Sequence, residues 1–390
     1  MRRGRRAFVV VLDACGCGAL PDAADYGDEG TNTLAHVADA VGGLDVPTLA
    51  GLGLGNVTPI AGVAPADRPA VHGKLWPRGP GKDTMTGHWE LMGASAPRAP
   101  TYSGGFPPEV IESFRAITGR GVLCNEAVEG LRAIEEHGAR HLETGDPIVY
   151  TSQDSVFQVA AHVDAVPPSE LYCWCGAARA VLTGEHAVGR VIARPFEGAA
   201  GEFRRTPGRR DYALPPPVPT YLDLLAEADM PVIAVGKVAQ VFAGRGIAEE
   251  RPAHDNRSGI EELDALIDHA DEGLVFANLV DTDQVHGHRK DVQGFHAALR
   301  EIDAAVAGWL RRMGDGDLLV LTADHGCDPA HPGTDHTREH APLLAVFAGG
   351  DGRRVDAPMG AVGASAFRWL TGGDARLAGE SFVGEVGAPA

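Results

Sequence analysis

The chain has 390 residues, 44% of them hydrophobic and 22% charged, with 51 Gly and 27 Pro. This is the composition of a soluble globular protein of about two domains with a substantial core. A formal charge of −19 argues against nucleic acid or an anionic membrane as partner, since both attract basic surfaces, and any anionic substrate must be held by local positive groups.

In chain order, Met1-Arg-Arg-Gly-Arg-Arg has the charge of a secretion-signal head. The apolar run that follows, residues 8–12, ends in Asp13 and is too short for a signal core. It reads as a first β-strand. No later segment approaches the roughly 18 apolar residues of a membrane span, which predicts a cytoplasmic protein. The cysteines are Cys15, Cys17, Cys124, Cys173, Cys175 and Cys327. Their two Cys-x-Cys pairs lack zinc-knuckle or redox spacing and read as reduced thiols. Helical patterning follows around Leu34, Val37 and Val41. Next, Gly81-Lys-Asp-Thr-Met-Thr-Gly-His-Trp-Glu90 gathers two hydroxyls, a lysine and glycines without hydrophobic periodicity. Beside a metal ion such a hydroxyl can act as a nucleophile; otherwise the segment is a plain turn.

From Pro97 to Pro219 the chain is bracketed by Ala96-Pro-Arg-Ala-Pro and Pro215-Pro-Pro-Val-Pro, which read as linkers. Inside them, residues 147–150, 156–160 and 190–194 read as strands with some polar alternation. An α+β cap domain is therefore expected at 97–219, inserted into a core made of 1–96 and 220–390. Arg204, Arg205, Arg209 and Arg210 form a basic run that reads as surface.

Beyond the cap, residues 232–235, 274–280, 318–321 and 343–347 are near-continuous apolar runs, as in a sheet covered on both faces. Helical patterning accompanies them at Ile260, Leu263 and Ile267, and at Phe295, Leu299, Ile302, Val306, Leu310 and Met313. The expected core is α/β, with a largely parallel sheet flanked by helices.

Open α/β sheets bind ligands at the carboxyl ends of their strands, and acids stand at those places: Asp13, then Asp281 and Asp283, then Asp324. One such acid is more simply a helix cap. Three separated strands share the pattern, however, and histidines accompany two of them. Thr322-Ala-Asp-His-Gly-Cys-Asp-Pro and Gly333-Thr-Asp-His-Thr-Arg-Glu-His bring together carboxylates and imidazoles that suit a divalent ion such as Mn²⁺ or Zn²⁺. Asp324 and His325 can share an ion only where the backbone has left the strand, which Gly326 facilitates. In an α-helix Asp283 and His288 would lie roughly 140° apart, so a loop broken at Gly287 is expected there. His286 ranks below His288 as a ligand.

Taken in order, Asp13-Ala-Cys-Gly-Cys-Gly, the Gly81–Glu90 block, Asp283-x4-His288-Arg-x-Asp, Thr322-Ala-Asp-His-Gly and Gly333-Thr-Asp-His-Thr-Arg-Glu-His resemble the bacterial phosphopentomutases of the alkaline phosphatase superfamily. The likeness runs almost end to end. It includes Tyr150-Thr-Ser-Gln-Asp-Ser-Val and Gly189-Arg-Val-Ile-Ala-Arg-Pro-Phe in the cap. Thr-Ala-Asp-His-Gly alone is shared across the superfamily; the ordered set is specific.

The resemblance implies an alkaline-phosphatase-like core and two Mn²⁺ ions. One would be held by Asp283, His288 and His336, the other by Asp13, Asp324 and His325 with the oxygen of Thr84. Thr84 would carry the phosphate, with Thr86 as second choice. The implied reaction interconverts ribose 5-phosphate and ribose 1-phosphate, and the 2-deoxyribose pair, primed by a sugar bisphosphate such as glucose 1,6-bisphosphate or ribose 1,5-bisphosphate. Ser152, Asp154, Val156, Arg190 and Ile192 in the cap, with Lys237 on the core, would bind the substrate. The partners implied are small pentose phosphates, with no nucleic acid, membrane or obligate protein partner. Two positions depart from the family pattern: Ala14 replaces Ser and Cys327 replaces Asn, and neither is an expected ligand. The alternatives are a cofactor-independent phosphoglycerate mutase, a phosphatase, or a non-catalytic metal-binding protein; the first two would use the same ligands without the Gly81–Glu90 block and this cap.

Overall fold

The computed structural model describes residues 4–97, 99–152, 155–374 and 376–384. These fall into two compact units, one running to Pro97 and resuming at Pro216, the other comprising Arg98–Pro215. None of the described helices is long and apolar enough to cross a membrane.

The first unit is built on one eight-stranded sheet. Its strands lie in the order Glu249–Arg251, Val232–Val235, Gly273–Leu279, Arg6–Leu12, Asp317–Thr322, Ala341–Phe347, Val71–Trp76 and Ala357–Pro358. Pairing is parallel except on either side of Ala341–Phe347, so the sheet is largely parallel. Every residue of the Arg6–Leu12, Gly273–Leu279 and Asp317–Thr322 strands is buried, as in a sheet covered on both faces. Helices Asn256–His269 and Ala361–Thr371 both pack on the Gly273–Leu279 strand, and the long amphipathic helix Val292–Arg312 packs on Asn256–His269 and Thr33–Val41. The Val71–Trp76 strand was not expected: its sequence, Val-His-Gly-Lys-Leu-Trp, mixes polar residues with a glycine, and that glycine is needed because a side chain at Gly73 would collide with the Val355 carbonyl.

Register is what positions the site. Arg6 pairs with both Gly273 and Asp317, Leu12 with Leu279, and Val11 with Thr322. Three adjacent parallel strands therefore end flush, and the residues after them, Asp13, Asp283 and Asp324, emerge at the same edge of the sheet.

The second unit carries a six-stranded mixed sheet running Leu123–Ala127, Ile148–Thr151, Val156–His162, Arg190–Glu197 and Arg204–Arg205, with Arg210–Ala213 also paired to Arg190–Glu197. Alternation sorts its side chains to two faces. Phe157, Val159 and Ala161 join Val191 and Ala193 in a core with Phe114 and Trp174 of helices Pro108–Thr118 and Pro168–Val181. Ala160, Ile148, Tyr150 and Phe196 pack instead with Ala133 and Ile134 of helix Gly130–Thr144. The polar alternation visible in the sequence comes from residues such as Gln158 and Arg194, which lie on the second face and hydrogen bond to each other (Nε to Oε1, 3.1 Å).

Candidate metal centre

The first strand delivers Asp13, wholly buried, onto a turn in which Ala14 takes a left-handed φ of 61°. That conformation is uncommon for a residue with a Cβ. It is held by the Ala14 N–H, which donates to Asp324 Oδ1 at 3.2 Å, while the Thr282 hydroxyl donates to the Asp13 carbonyl at 2.6 Å and the Asn278 amide to Asp13 Oδ2 at 3.1 Å.

Thr84 stands at the first position of helix Thr84–Leu91, capped by Asp83. The two threonines of the segment divide the work. The Thr86 hydroxyl donates to Asp83 Oδ2 at 2.9 Å within a capping box, whereas Thr84 Oγ1 lies 3.1 Å from His325 Nε2. This helix passes so close to Asp324 that a side chain at Gly87 would collide with the Asp324 backbone. One turn on, buried His88 donates from Nδ1 to the Thr84 carbonyl at 2.8 Å and lies 3.2 Å from Asp324 Oδ2. His88 was not singled out from the sequence, although its i, i+4 spacing from Thr84 puts the two on one helix face.

Asp283 and His288 come together by a different route from the one expected. Thr282–Gly287 is a π-helical turn rather than a broken loop. Its i to i+5 hydrogen bond, His288 N–H to Asp283 carbonyl at 3.3 Å, stacks residues five apart, and such turns recur at functional sites. Gly287 does not break the turn; it lets the turn pack on Cys327, whose Sγ lies 3.1 Å from where a Cβ would be. His288 Nε2 and His336 Nε2 both face Asp283 Oδ1, at 3.4 and 3.3 Å. His288 Nδ1 is 2.6 Å from the Thr334 carbonyl; a carbonyl only accepts, so Nδ1 carries a hydrogen and Nε2 is the nitrogen directed at the cluster. His286 turns away to Asp291, 2.9 Å.

His325 Nε2 faces three oxygens: Thr84 Oγ1, Asp13 Oδ1 at 3.4 Å and Asp324 Oδ2 at 3.3 Å. Its ring stacks on His336 with centroids 3.9 Å apart, joining the two halves of the site. The potential ligand atoms form three overlapping triads, Asp13/Asp324/His325, Asp283/His325/His336 and Asp283/His288/Cys327, each within 4.8 Å. Cys327 was expected only as a departure from pattern; its sulfur stands among the ligand atoms.

The remaining charged residues of the His-rich segment are structural. Glu339, fully buried, accepts from the Thr33 and Thr337 hydroxyls at 2.7 Å each and from the Thr33 N–H at 2.9 Å. Arg338 donates to the Gly81 carbonyl at 2.7 Å and pairs with Asp22, bracing the approach to Thr84.

Charge crowding explains the titration. Burial first, then the Asp324 and Asp283 carboxylates, push the Asp13 carboxyl well up, against the Lys237 ammonium. Burial also acts on Asp324, but His325 and His88 hold it down to about 2. Asp283 is held below the usual carboxylate range because the adjacent His288 and His336 imidazoles outweigh its burial. His288 is raised to about 11, chiefly by Asp283. Three carboxylates this close share protons unless cations replace them. Asp13 Oδ1, Asp283 Oδ1, Asp324 Oδ2 and His336 Nε2 are all buried without a hydrogen-bond partner. Inward-facing, unsatisfied oxygen and nitrogen donors of this kind fit divalent metal ions.

The cap residues expected to bind substrate are placed as follows. Val156 and Arg190 are register partners at the start of two parallel strands, and Ile192 lies two residues on, buried. The Arg190 guanidinium is 3.7 Å from Asp211 and about half exposed. Ser152 follows strand Ile148–Thr151; Asp154 lies outside the described residues. Lys237, on the core unit, precedes helix Val238–Val241. Each arginine of the basic run has a partner within this unit: Arg204 with Glu197, Arg205 with Glu129, Arg209 with Asp211, and Arg210 over the Tyr172 ring.

The pattern of the Metalloenzyme superfamily matches residues 5–364. A phosphopentomutase of Anaeromyxobacter sp. (strain K) is 51% identical over 391 residues, covering 98% of this chain and 99% of the relative. Phosphopentomutases of Caldanaerobacter subterraneus subsp. tengcongensis (50% over 342 residues, 87% of each chain) and Desulfitobacterium hafniense (45% over 387 residues, 98% of this chain and all of the relative) are similar along comparable lengths. With this identity sustained across nearly the whole sequence, the chain belongs to the phosphopentomutases, a family of isomerases within the metalloenzyme, alkaline-phosphatase-like superfamily.

Proposed function

We propose that the protein interconverts ribose 5-phosphate and ribose 1-phosphate, and the 2-deoxyribose pair, by way of a phosphorylated Thr84. The observation that carries this reading is the hydroxyl of Thr84 beside His325 Nε2, set among buried carboxylates, while the neighbouring Thr86 hydroxyl is taken up by its helix cap. Asp283, His288 and His336 would hold one Mn²⁺, and Asp13, Asp324 and His325 with Thr84 the other. When bound, such ions neutralise the charge of a phosphoryl group during in-line displacement.

The chain's own groups do the rest. Thr84 sits at a helix N-terminus, where backbone N–H groups favour an anion. His88 and the Asp83 cap fix the turn that aims its hydroxyl. Phospho-Thr84 gives its phosphoryl group to the free hydroxyl of a pentose monophosphate, whose proton leaves to solvent, and a sugar bisphosphate forms. Returning the other phosphoryl group to Thr84 completes the exchange, so no phosphate is lost to water. A trace of glucose 1,6-bisphosphate or ribose 1,5-bisphosphate would phosphorylate Thr84 at the outset. Ser152, Asp154, Val156, Arg190 and Ile192, with Lys237, would hold the part of the sugar phosphate that is not reacting; Arg190 suits phosphate through its planar fork of donors.

The test is to incubate the protein with Mn²⁺, a trace of sugar bisphosphate and ribose 1-phosphate. Ribose 5-phosphate forming without inorganic phosphate is the expected outcome. Stoichiometric release of inorganic phosphate would make the protein a phosphatase instead.

A further inference from the structure

We propose that the Cys327 thiol is a fourth protein ligand of the ion held by Asp283, His288 and His336, which gives that half of the centre a preference for thiophilic ions. This rests on the metal centre described above and assigns to it a donor outside the expected ligand set.

Four observations carry the assignment. The Cys327 sulfur lies with an Asp283 oxygen and a His288 nitrogen in one triad of potential ligand atoms, all within 4.8 Å. Among the described residues no other cysteine joins such a group. Asp283 Oδ1 is buried and without a hydrogen-bond partner, as is His336 Nε2, 3.3 Å away. The sulfur is also held in place. The Cys327 N–H donates to Thr33 Oγ1 at 3.0 Å, and the π-helical turn leans on the side chain at Gly287. Finally, the thiol makes only a long bond to the Asp335 carbonyl, at 3.9 Å, and interacts with the side chain of the proposed ligand His288.

A buried cysteine is ordinarily a small hydrophobe in an apolar cluster. This one is 2% exposed but is surrounded by imidazole and carboxylate. On binding, the S–H proton goes to solvent and a sulfur–metal bond forms, because the thiolate is the ligand. The donor set becomes two imidazole nitrogens, one carboxylate and one thiolate. That set favours Zn²⁺ or Co²⁺ over Mn²⁺, which prefers oxygen.

Cobalt reads the sulfur directly. Metal-free protein titrated with Co²⁺ is expected to develop a thiolate-to-cobalt charge-transfer band in the near ultraviolet as the Asp283 site fills. In Cys327→Ser and Cys327→Asn the band should vanish while cobalt still binds, as the weaker visible bands and the metal content report. Zinc affinity at this site should fall about 10- to 100-fold in both variants, with manganese affinity changed far less. Two substitutions guard against one that merely misfolds. Wild-type protein that binds cobalt without the band, or a band that survives both substitutions, overturns the ligand assignment alone. Wild-type protein that binds no cobalt at all overturns the metal centre and the assignment with it.

Discussion

Asp283 and His288 are five residues apart and face the same point because the chain between them winds as a π-helical turn, closed by the His288 N–H on the Asp283 carbonyl at 3.3 Å. An α-helix would have turned the two side chains away from each other. The turn is therefore part of the geometry of the proposed ligands rather than a connector.

Gly287→Ala tests that dependence without replacing a proposed ligand. The new methyl group would lie 2.9 Å from the Thr282 carbonyl and 3.1 Å from Cys327 Sγ, so the turn has to shift. One of the two proposed Mn²⁺ ions is expected to bind about 10- to 100-fold more weakly, the loss seen when groups that orient ligands are disturbed. Calorimetric titration of wild type and variant measures it. Equal affinities would mean that the turn does not set the ligand positions.

Thr84 and Thr86 should separate by what each hydroxyl does. Thr84→Ala is expected to abolish mutase turnover and incorporation of phosphate into the protein, with the melting temperature nearly unchanged. Thr86→Ala removes the hydroxyl bonded to Asp83 and should cost about 0.5–2 kcal/mol of stability, as for other lost helix caps, while activity persists. Assays and thermal melts of both variants decide; an active Thr84→Ala with an inactive Thr86→Ala would reverse their roles.

Acids after three apolar runs were legible because strand ends follow directly from hydrophobic patterning, and the flush register of residues 6–12, 273–279 and 317–322 then does the rest. The π-helical turn was not legible, since nothing in Thr-Asp-Gln-Val-His-Gly separates it from a loop until the turn packs against Cys327. Nor was the division of the Thr337-Arg-Glu-His segment. Its Glu and Arg read as more of the same charged cluster, yet Glu339 ties down the start of helix Thr33–Val41 and Arg338 braces Gly81, partners about 250 to 310 residues away in sequence. Long-range hydrogen bonds of this kind leave no local periodicity.

His88 is expected to act as a positioning residue. Its Nδ1–H donates to the Thr84 carbonyl and stands 3.2 Å from Asp324 Oδ2, placing it between the helix of the proposed phosphate carrier and a proposed metal ligand. His88→Leu should lower kcat about 10- to 100-fold with little change in KM. His88→Asn keeps an amide donor near the place of Nδ1 and should recover part of the loss. A purely structural role would lower the stability of both variants and leave kcat of the folded fraction unchanged.

Metal removal should show that the ions take the place of protons. In the metal-free site the Asp13 carboxyl is pushed up by burial and by two neighbouring carboxylates, and His288 is raised to about 11 by Asp283. Both shifts favour the protonated forms, and a bound cation displaces such protons because carboxylate and neutral imidazole are the ligand forms. Adding Mn²⁺ to chelator-treated protein should release protons, seen as a binding enthalpy that scales with the ionisation enthalpy of the buffer. The same addition should raise stability by about 2.7 kcal/mol when free Mn²⁺ stands 100-fold above its dissociation constant, measured as a rise in melting temperature after chelation has lowered it. Binding without proton release would mean that the carboxylates are already fully ionised in the empty site. In that case three negative charges would have to be offset by His288, His336 and Lys237 alone, and Asp13→Asn would stabilise the metal-free protein by relieving their repulsion.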